Sequence, residues 1–238
     1  MLYRMPKKSH LESSEVSPKS DHREDDEPII ATGFDRGVDY EPMKNKLINC
    51  CKKYYDELVA LEKNTPHFKY KIGTVKSRIL YCCIAMIQLR NGSRISEACD
   101  TMKYLCKEGN FNKRVVVKIA KSESIKYKDG EQYTTKPRYR KMIFPTDWID
   151  NFETIKNIIE EIFSDIPYSR LKKRVLDYLL INHQCNTHSL RYACINYLIY
   201  EKERPLNDVA KFVGHVDLSM LTKYTQQKNC EKIFDLTM

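Results

Sequence analysis

The chain has 238 residues, 42% of them hydrophobic, and its formal net charge at neutral pH is +9. This length is enough to bury a sizeable core in one domain. Because no run of about 18 uncharged apolar residues occurs and the N-terminus lacks an apolar signal core, the composition predicts an intracellular protein without a membrane span.

Charge is divided unevenly along the chain. Residues 1–40 contain six Lys or Arg and nine Asp or Glu, a net of −3, and subtracting −3 from +9 leaves +12 on residues 41–238. The first segment is polar and shows no sustained apolar period. We therefore expect a disordered or loosely ordered acidic tail over 1–40 and one basic folded domain over 41–238, which suits a polyanionic partner.

Apolar residues recur at helical spacing through most of the basic part. The predicted helices cover 43–63, 74–90, 148–163 and 169–181, followed by one that begins near His188 and one after Pro205. The segment 74–90 is so apolar that it should lie in the core, and Gly92 and Gly214 are the expected helix stops. In the last helix, the residues expected to face the core are Leu206, Val209, Ala210 and Val213.

Residues 113–141 differ in character from the helical segments. Val115–Val117 begin a β-branched run, Asp129 and Gly130 are typical of a turn, and 140–145 resemble a return strand, so that an antiparallel hairpin is predicted. Ten Lys or Arg against three Asp or Glu make this stretch strongly basic. A basic hairpin can lie against a phosphate backbone.

Nine cysteines are scattered along the chain and include the adjacent pairs Cys50–Cys51 and Cys82–Cys83. Neighbouring cysteines on a helix point in different directions, so we interpret them as buried reduced thiols. No Cys or His spacing typical of zinc ligands occurs, and no metal site is predicted.

Three short motifs and a tyrosine carry the chemistry. They are Gly92 to Glu97 (Gly-Ser-Arg-Ile-Ser-Glu), His188 to Arg191 (His-Ser-Leu-Arg), Gly214-His215, and Tyr224 nine positions after that histidine. Arginine forks neutralise the charge on phosphate oxygens, imidazoles move protons, and a phenol can act as a covalent nucleophile. Together they could attack a phosphodiester without a metal.

Each of these residues also has a simpler interpretation. Arg94 and Glu97 could form an ordinary surface ion pair three residues apart. His215 could be held at a helix end by its interaction with the helix dipole. Tyr224 is one of sixteen tyrosines, so that a packed aromatic ring would be the default if it did not follow Gly-His.

The order of these motifs resembles the tyrosine recombinases, or phage-type integrases, whose catalytic domains show Arg, Lys, His-x-x-Arg, Gly-His and Tyr. The resemblance covers roughly residues 43 to 230. It implies a mainly α fold with a small antiparallel β-sheet (α+β). It also implies that Arg94, His188, Arg191, His215 and Tyr224 are catalytic.

The family's lysine lies at the end of a strand or in the turn after it, and Lys121 is the best match. Lys118 and Lys136 remain alternatives because the connection is longer than is usual for the family. General phosphate contacts are the other role for this basic stretch. The residues expected to make them are Lys118, Lys136, Arg138 and Arg140.

The resemblance implies that Tyr224 attacks a phosphate of double-stranded DNA, which leaves a 3′-phosphotyrosine and a free 5′-hydroxyl and needs no cofactor, metal or ATP. Site-specific recombination or integration is the expected activity, in the compartment that holds the host DNA. Relatives assemble tetramers on DNA by exchanging a C-terminal helix, and fourteen residues follow Tyr224 here, so a homo-tetramer on DNA is one of the assemblies left open. The N-terminal DNA-binding domain of such enzymes has no counterpart here. The chain is therefore a catalytic-domain-only member, a fragment, or one that uses a separate DNA-binding partner.

Two other functions fit the same residues. A type IB topoisomerase uses the same residue types to relax DNA, although the segment 92–97 and the Gly-His-to-Tyr spacing favour the recombinases. A basic module that binds DNA without cutting it is the non-catalytic alternative.

Overall fold

In the computed structural model, the described residues are 38–64, 69–123, 125–128, 131–214 and Leu221. Helix α1 (Tyr40–Asn64) is followed by α2 (Lys69–Asn91) and α3 (Ile95–Glu108). Helix α2 is the centre of the fold, because α1, α3, α4 (Phe152–Asp165), α5 (Tyr168–His183) and α6 (Thr187–Asn196) all pack against it. Its residues from Ile79 to Leu89 are almost completely buried, as their apolar composition predicts.

The C-terminal part of the described chain contains α6 and α7 (Leu206–Val213). Asn186 caps α6, and its side-chain oxygen accepts hydrogen bonds from the backbone nitrogens of His188 and Ser189 at 2.8 and 3.0 Å. The chain continues from α6 into a π-helical turn, Tyr197–Glu201. Gly214, in the left-handed conformation with φ 74°, ends α7.

The strands form two separate antiparallel pairs. Strand β1 (Val115–Lys118) pairs with β4 (Tyr139–Met142), with Val115 opposite Met142. Strand β2 (Ile125–Lys128) pairs with β3 (Glu131–Thr134), with Lys128 opposite Glu131. The turn predicted at Asp129 and Gly130 lies outside the described residues.

These elements confirm the predicted fold class, mainly α with a small antiparallel β component. Two details of the prediction were wrong. The helix expected from Trp148 begins at Phe152, because Trp148 ends a short 3₁₀ turn and Asn151 adopts a left-handed conformation (φ 54°) that interrupts the helix. Leu206, expected in the core, is 38% exposed, since it lies at the first position of α7.

Within the described residues, Tyr70–Asn91 is the one helical segment long and apolar enough to cross a membrane by length and composition. The segment is not an uncharged run, since it contains Lys71, Lys76, Arg78 and Arg90. Of its most apolar 18-residue stretch, 67% is buried, and the apolar surface packs against the neighbouring helices. A core helix accounts for the same composition.

The cysteines of the described residues are all free thiols, six buried and two half-buried. This agrees with the predicted reduced state; Cys230 lies outside the described residues. Burial raises the pKa of Cys99, Cys106 and Cys194 to about 12, so these thiols remain neutral. No group of three His, Cys, Asp or Glu side chains in the described part of the chain is arranged to hold a metal ion.

Candidate active site

Arg94 lies at the N-cap of α3, immediately after the loop that follows α2. Its Nη1 donates to Glu97 Oε1 at 3.3 Å and to the Ala120 carbonyl oxygen at 3.0 Å. Glu97 is completely buried, whereas 22% of the Arg94 side chain is exposed. The pair is thus not a surface ion pair: a buried carboxylate holds the guanidinium while part of it faces solvent.

Lys121 lies in a tight turn directly after β1, which we call the Lys121 turn (Ile119, Ala120, Lys121 and Ser122). The Ser122 nitrogen donates to the Ile119 oxygen at 3.1 Å, and Lys121 has φ 62°. The Ala120 nitrogen donates to Glu97 Oε1 at 3.0 Å, while its oxygen accepts from Arg94. Two hydrogen bonds therefore hold the turn against the start of α3, and the lysine side chain is exposed.

Arg191 is 3% exposed and connects two distant segments. Its Nη1 donates to the Gly92 oxygen at 2.6 Å, and its Nη2 donates to the Val213 oxygen at 2.9 Å. Gly92 is two residues before Arg94, and Val213 is two residues before His215. One buried guanidinium thus holds together the loop that carries the first arginine and the helix end that leads to the predicted second histidine.

His188 lies in the first turn of α6 and is exposed to solvent on one side. Its pKa is lowered from the ordinary value, first by desolvation and then by the positive charges of Arg191, Arg94 and Lys121. Each of these three cations acts on the imidazole, so the four side chains share one electrostatic environment. The ring is consequently neutral near pH 7 and able to accept a proton.

Four of the six predicted catalytic side chains are therefore grouped around one basic site: Arg94, Lys121, His188 and Arg191. His215 and Tyr224 lie outside the described residues. Among the alternative lysines, Lys118 is ion-paired with Glu123 and partly exposed, and Lys136 is exposed.

Sequence reasoning missed two buried polar residues near the C-terminal end of α2. Gln88 Nε2 donates to the oxygens of Ser93 and Thr187 at 3.1 and 2.5 Å, which links the Arg94 loop to the beginning of α6. Asn91 Nδ2 donates to the Ile143 oxygen at 2.8 Å, and its Oδ1 accepts from the Ile143 nitrogen at 3.1 Å. A signal was available for Gln88, since this amide interrupts an otherwise apolar run, whereas Asn91 is the last residue of α2, where an asparagine is typical of a helix end.

Arg140 needs a correction. We expected it on the DNA-facing surface of the hairpin, but it is 7% exposed. Its Nη1 lies 3.6 Å from Glu97 Oε2, and its Nη2 donates to the Asn91 oxygen. The inward direction follows from the alternation of β4, in which Arg140 and Met142 are buried and Tyr139 and Lys141 are exposed. Arg138 is half-buried, and its backbone pairs with the Lys121 turn.

Comparison with known proteins reveals three relatives that span most of the chain. A protein of the Sputnik virophage, named "Putative integrase V10", is 46% identical over 216 residues, which are 89% of this chain and 93% of the relative. An uncharacterized protein of Methanocaldococcus jannaschii is 29% identical over 84% of this chain and 86% of its own length.

The third relative, from Acidianus two-tailed virus, is named "Putative integrase ORF241" and is 29% identical over 82% of this chain and 65% of its own length. No protein-family model matches the chain. No solved structure matches it with significance.

Proposed function

This chain belongs to the integrase family represented by the virophage relative, and from that premise we propose that it cleaves and rejoins DNA strands through a tyrosine nucleophile. The proposed activity is site-specific recombination or integration with double-stranded DNA as substrate. We assign the chemistry to the basic domain, residues 41–238.

The observation that carries this proposal is the clustering of cations around His188. Arg94, Lys121 and Arg191 come from three distant segments that hydrogen bonds hold together: the Lys121 turn binds Arg94 and Glu97, and Arg191 binds the Gly92 carbonyl two residues before Arg94. All three cations also lower the pKa of the His188 imidazole. The buried carboxylate of Glu97 is shared by Arg94 and Arg140, so positive charge remains in excess around His188, and such an excess is typical of a site that binds an anion. A backbone phosphate of DNA fits this requirement.

The proposed reaction begins when the phenolic oxygen of Tyr224 attacks the scissile phosphorus. The bond from phosphorus to the 5′ oxygen breaks, and a 3′-phosphotyrosine and a free 5′-hydroxyl form. The neutral imidazole of His188 takes up the phenolic proton, and Lys121 gives a proton to the departing 5′ oxygen. Because the phosphotyrosine ester conserves the energy of the broken bond, a 5′-hydroxyl from another strand can reverse the step and complete an exchange.

The two arginines contribute in different ways. Part of the Arg94 guanidinium faces solvent, so it can donate to a non-bridging phosphate oxygen. Arg191 supplies positive charge from beneath the site while it holds the backbone at Gly92 and Val213. Electrostatic donors aimed at a developing oxyanion are each worth roughly 3 kcal/mol in other enzymes. His215 is proposed to hydrogen-bond the same phosphate.

Lys121 is the lysine that we propose as the general acid. It is one of the cations that act on His188, and its turn is hydrogen-bonded to Arg94 and Glu97. Lys118, in contrast, is already paired with Glu123.

Trapping of the covalent intermediate tests the nucleophile. A duplex with a nick just 3′ of the scissile phosphate loses a short fragment after cleavage, so that religation is prevented and the protein–DNA adduct accumulates. We expect the unchanged protein to form this adduct without added metal and Tyr224→Phe to form none. Tyr139→Phe is the matched control, because Tyr139 is 61% exposed, and it should form the adduct normally.

The same preparation separates the alternative functions. Relaxation of supercoiled plasmid without strand exchange between matched sites would identify a topoisomerase. DNA binding without adduct formation by the unchanged protein, on pooled nicked substrates, would leave only the non-catalytic module. An adduct that survives Tyr224→Phe would refute the proposed nucleophile.

A further inference from the structure

A second basic site lies beside the candidate active site and is not used by the proposed reaction. It is an open cavity of about 410 Å³ between the C-terminal end of α2, the β1–β4 pair and α7. We call it the Phe212 cavity, and the residues that define it are Tyr40, Arg90, Arg114, Lys141, Tyr197 and Phe212. Its volume is that of a pocket for a small molecule or a single nucleotide.

The lining of the Phe212 cavity carries positive charge and no carboxylate. Arg90, Arg114 and Lys141 all line it, and none of them forms an ion pair with a carboxylate of the described residues. Cys194 at its wall adds no negative charge, since burial raises the pKa of this thiol to about 12. Three cations around one opening favour an anionic occupant.

The cavity also presents an aromatic surface. The Phe212 ring is 41% exposed, although the ring of a phenylalanine is usually buried. The Arg140 guanidinium lies 5.7 Å from its centroid. Two other rings of the lining, those of Tyr40 and Tyr197, are stacked on each other with centroids 4.1 Å apart. An exposed ring beside cations is the combination with which proteins hold unpaired nucleotides, because the base stacks while the phosphate is neutralised.

The cavity neighbours the frame of the candidate active site, because the Arg140 guanidinium that lies 5.7 Å from the Phe212 ring also lies 3.6 Å from Glu97. Phe212 precedes Val213, whose carbonyl binds Arg191, and Lys141 follows Arg140, which pairs with Glu97. We infer that the Phe212 cavity holds one unpaired nucleotide of the DNA, with its phosphate on Arg114 and Lys141 and its base against Phe212. This inference rests on the proposed function in one respect: that function identifies the bound nucleotide as part of the DNA substrate.

The test is binding of two short fluorescent oligonucleotides of equal length, an oligothymidylate and its abasic counterpart, at one fixed salt concentration. The protein carries Tyr224→Phe, so that binding is measured without cleavage. We expect the oligothymidylate to bind more tightly than the abasic strand. Phe212→Leu, which keeps an apolar side chain and removes the ring, should weaken oligothymidylate binding by roughly ten-fold and leave abasic binding nearly unchanged.

Two further variants distinguish the cavity from the surface in general. Tyr104→Leu is the matched control, since Tyr104 is 37% exposed and has Lys113 at 5.7 Å from its ring outside the cavity. It should have no effect. Arg114→Gln should weaken both oligonucleotides to a similar degree, because it removes a phosphate contact, and its position outside the core makes misfolding a poor explanation.

Equal binding of the two oligonucleotides by the Tyr224→Phe protein would reduce the cavity to a phosphate contact and overturn the inference. So would an unchanged preference for oligothymidylate in Phe212→Leu, with folding confirmed by thermal unfolding. An acidic peptide that displaced both strands equally, irrespective of Phe212, would identify a purely electrostatic surface. Adduct formation by Tyr224 is measured separately, so failure of either proposal leaves the other standing.

Discussion

Arg191 Nη1 donates a 2.6 Å hydrogen bond to the carbonyl oxygen of Gly92, a residue 99 positions earlier in the chain. Gly92 has φ 54°, and a Cβ atom at this position would lie 2.9 Å from Val213 Cγ1 and 3.1 Å from Cys194 Sγ. The loop before Arg94 therefore packs directly against α6 and the end of α7. Glycine is required here both by conformation and by space.

Gly92→Ala is predicted to destabilise the protein by about 2–4 kcal/mol, because a strained left-handed conformation and a clash with buried side chains are both introduced. Gly109→Ala is the matched control. Gly109 also follows a helix with positive φ (66°), but nothing lies within 4 Å of the added Cβ. It should cost only about 1 kcal/mol. Chemical denaturation measures both, and equal losses would contradict the packing argument.

Arg191→Lys tests the two-carbonyl contact while it preserves the charge. A lysine ammonium cannot reproduce the fixed geometry with which the guanidinium reaches both Gly92 and Val213. One buried carbonyl loses its donor, so the free energy of unfolding should fall by about 1–3 kcal/mol, and adduct formation should fall as well. Arg174→Lys, at an exposed position of α5, should change neither. Full adduct formation by Arg191→Lys would show that charge alone suffices.

The sequence predicted the helices and the residues of the candidate active site to different degrees. Apolar spacing located both ends of α1 and α5 to within three residues, because burial of one face determines such helices, whereas α2 begins at Lys69, five residues before its predicted start at 74. The motif order indicated that Arg94, His188 and Arg191 would meet. It could not indicate that Gly92 and Val213 provide the acceptors for Arg191, since contacts between residues so far apart in sequence depend on how the helices pack.

The strand residues show a different limit of sequence reasoning. Arg140 was interpreted by its charge, as a DNA contact, whereas the alternation along β4 places it on the same face as buried Met142. Desolvation of a guanidinium is costly unless it is paired, and Glu97 and the Asn91 carbonyl provide its partners. These partners belong to α2 and α3. The alternation along β4 therefore predicts that the Arg140 side chain points inward, but it does not predict which groups compensate its charge.

Glu97→Gln is predicted to destabilise the protein by about 3–5 kcal/mol, the cost of leaving a buried charge uncompensated. Glu97 is completely buried and faces both Arg94 and Arg140, and its neutral replacement pairs with neither. Glu123→Gln is the control, since that carboxylate pairs with Lys118 at the surface and should matter by less than about 1 kcal/mol. A double variant with Arg140→Met should lose less than the sum of the single losses.

The free energy of unfolding is expected to fall in acid because His183 is protonated more readily in the unfolded chain than in the folded protein. The His183 ring is 5% exposed and its Nε2 lies 3.1 Å from the Tyr178 hydroxyl, and burial lowers its pKa to about 4, with Lys46 adding to the effect. The unfolded chain, with an ordinary pKa of about 6.5, binds the proton more readily. The contribution of this histidine is therefore complete above the unfolded pKa and is lost as the pH falls towards the folded one.

The size of this effect is about 3 kcal/mol at most, from the difference between the two pKa values. Denaturation at a series of pH values between neutral and about 4 measures it. His183→Gln should flatten the dependence of the unfolding free energy on pH in this range. The carboxylates and His188 also titrate there, so some slope remains. A profile identical to that of the unchanged protein would mean that His183 does not titrate differently in the folded state.

The role of Lys121 can be separated from a general phosphate contact by a change in the leaving group. If Lys121 protonates the departing 5′ oxygen, Lys121→Ala should slow adduct formation by about 10²–10⁴-fold, the usual size of a general-acid effect. A substrate with sulfur in place of that bridging 5′ oxygen expels a thiolate, which needs no proton. It should restore the rate of Lys121→Ala nearly to that of the unchanged protein.

Lys118→Ala and Lys136→Ala are the controls. Each should lower the rate of adduct formation only a little, and equally on the oxygen and sulfur substrates, because each loses a phosphate contact and not the acid. Rescue by sulfur in one of these variants, and not in Lys121→Ala, would move the acid to that lysine.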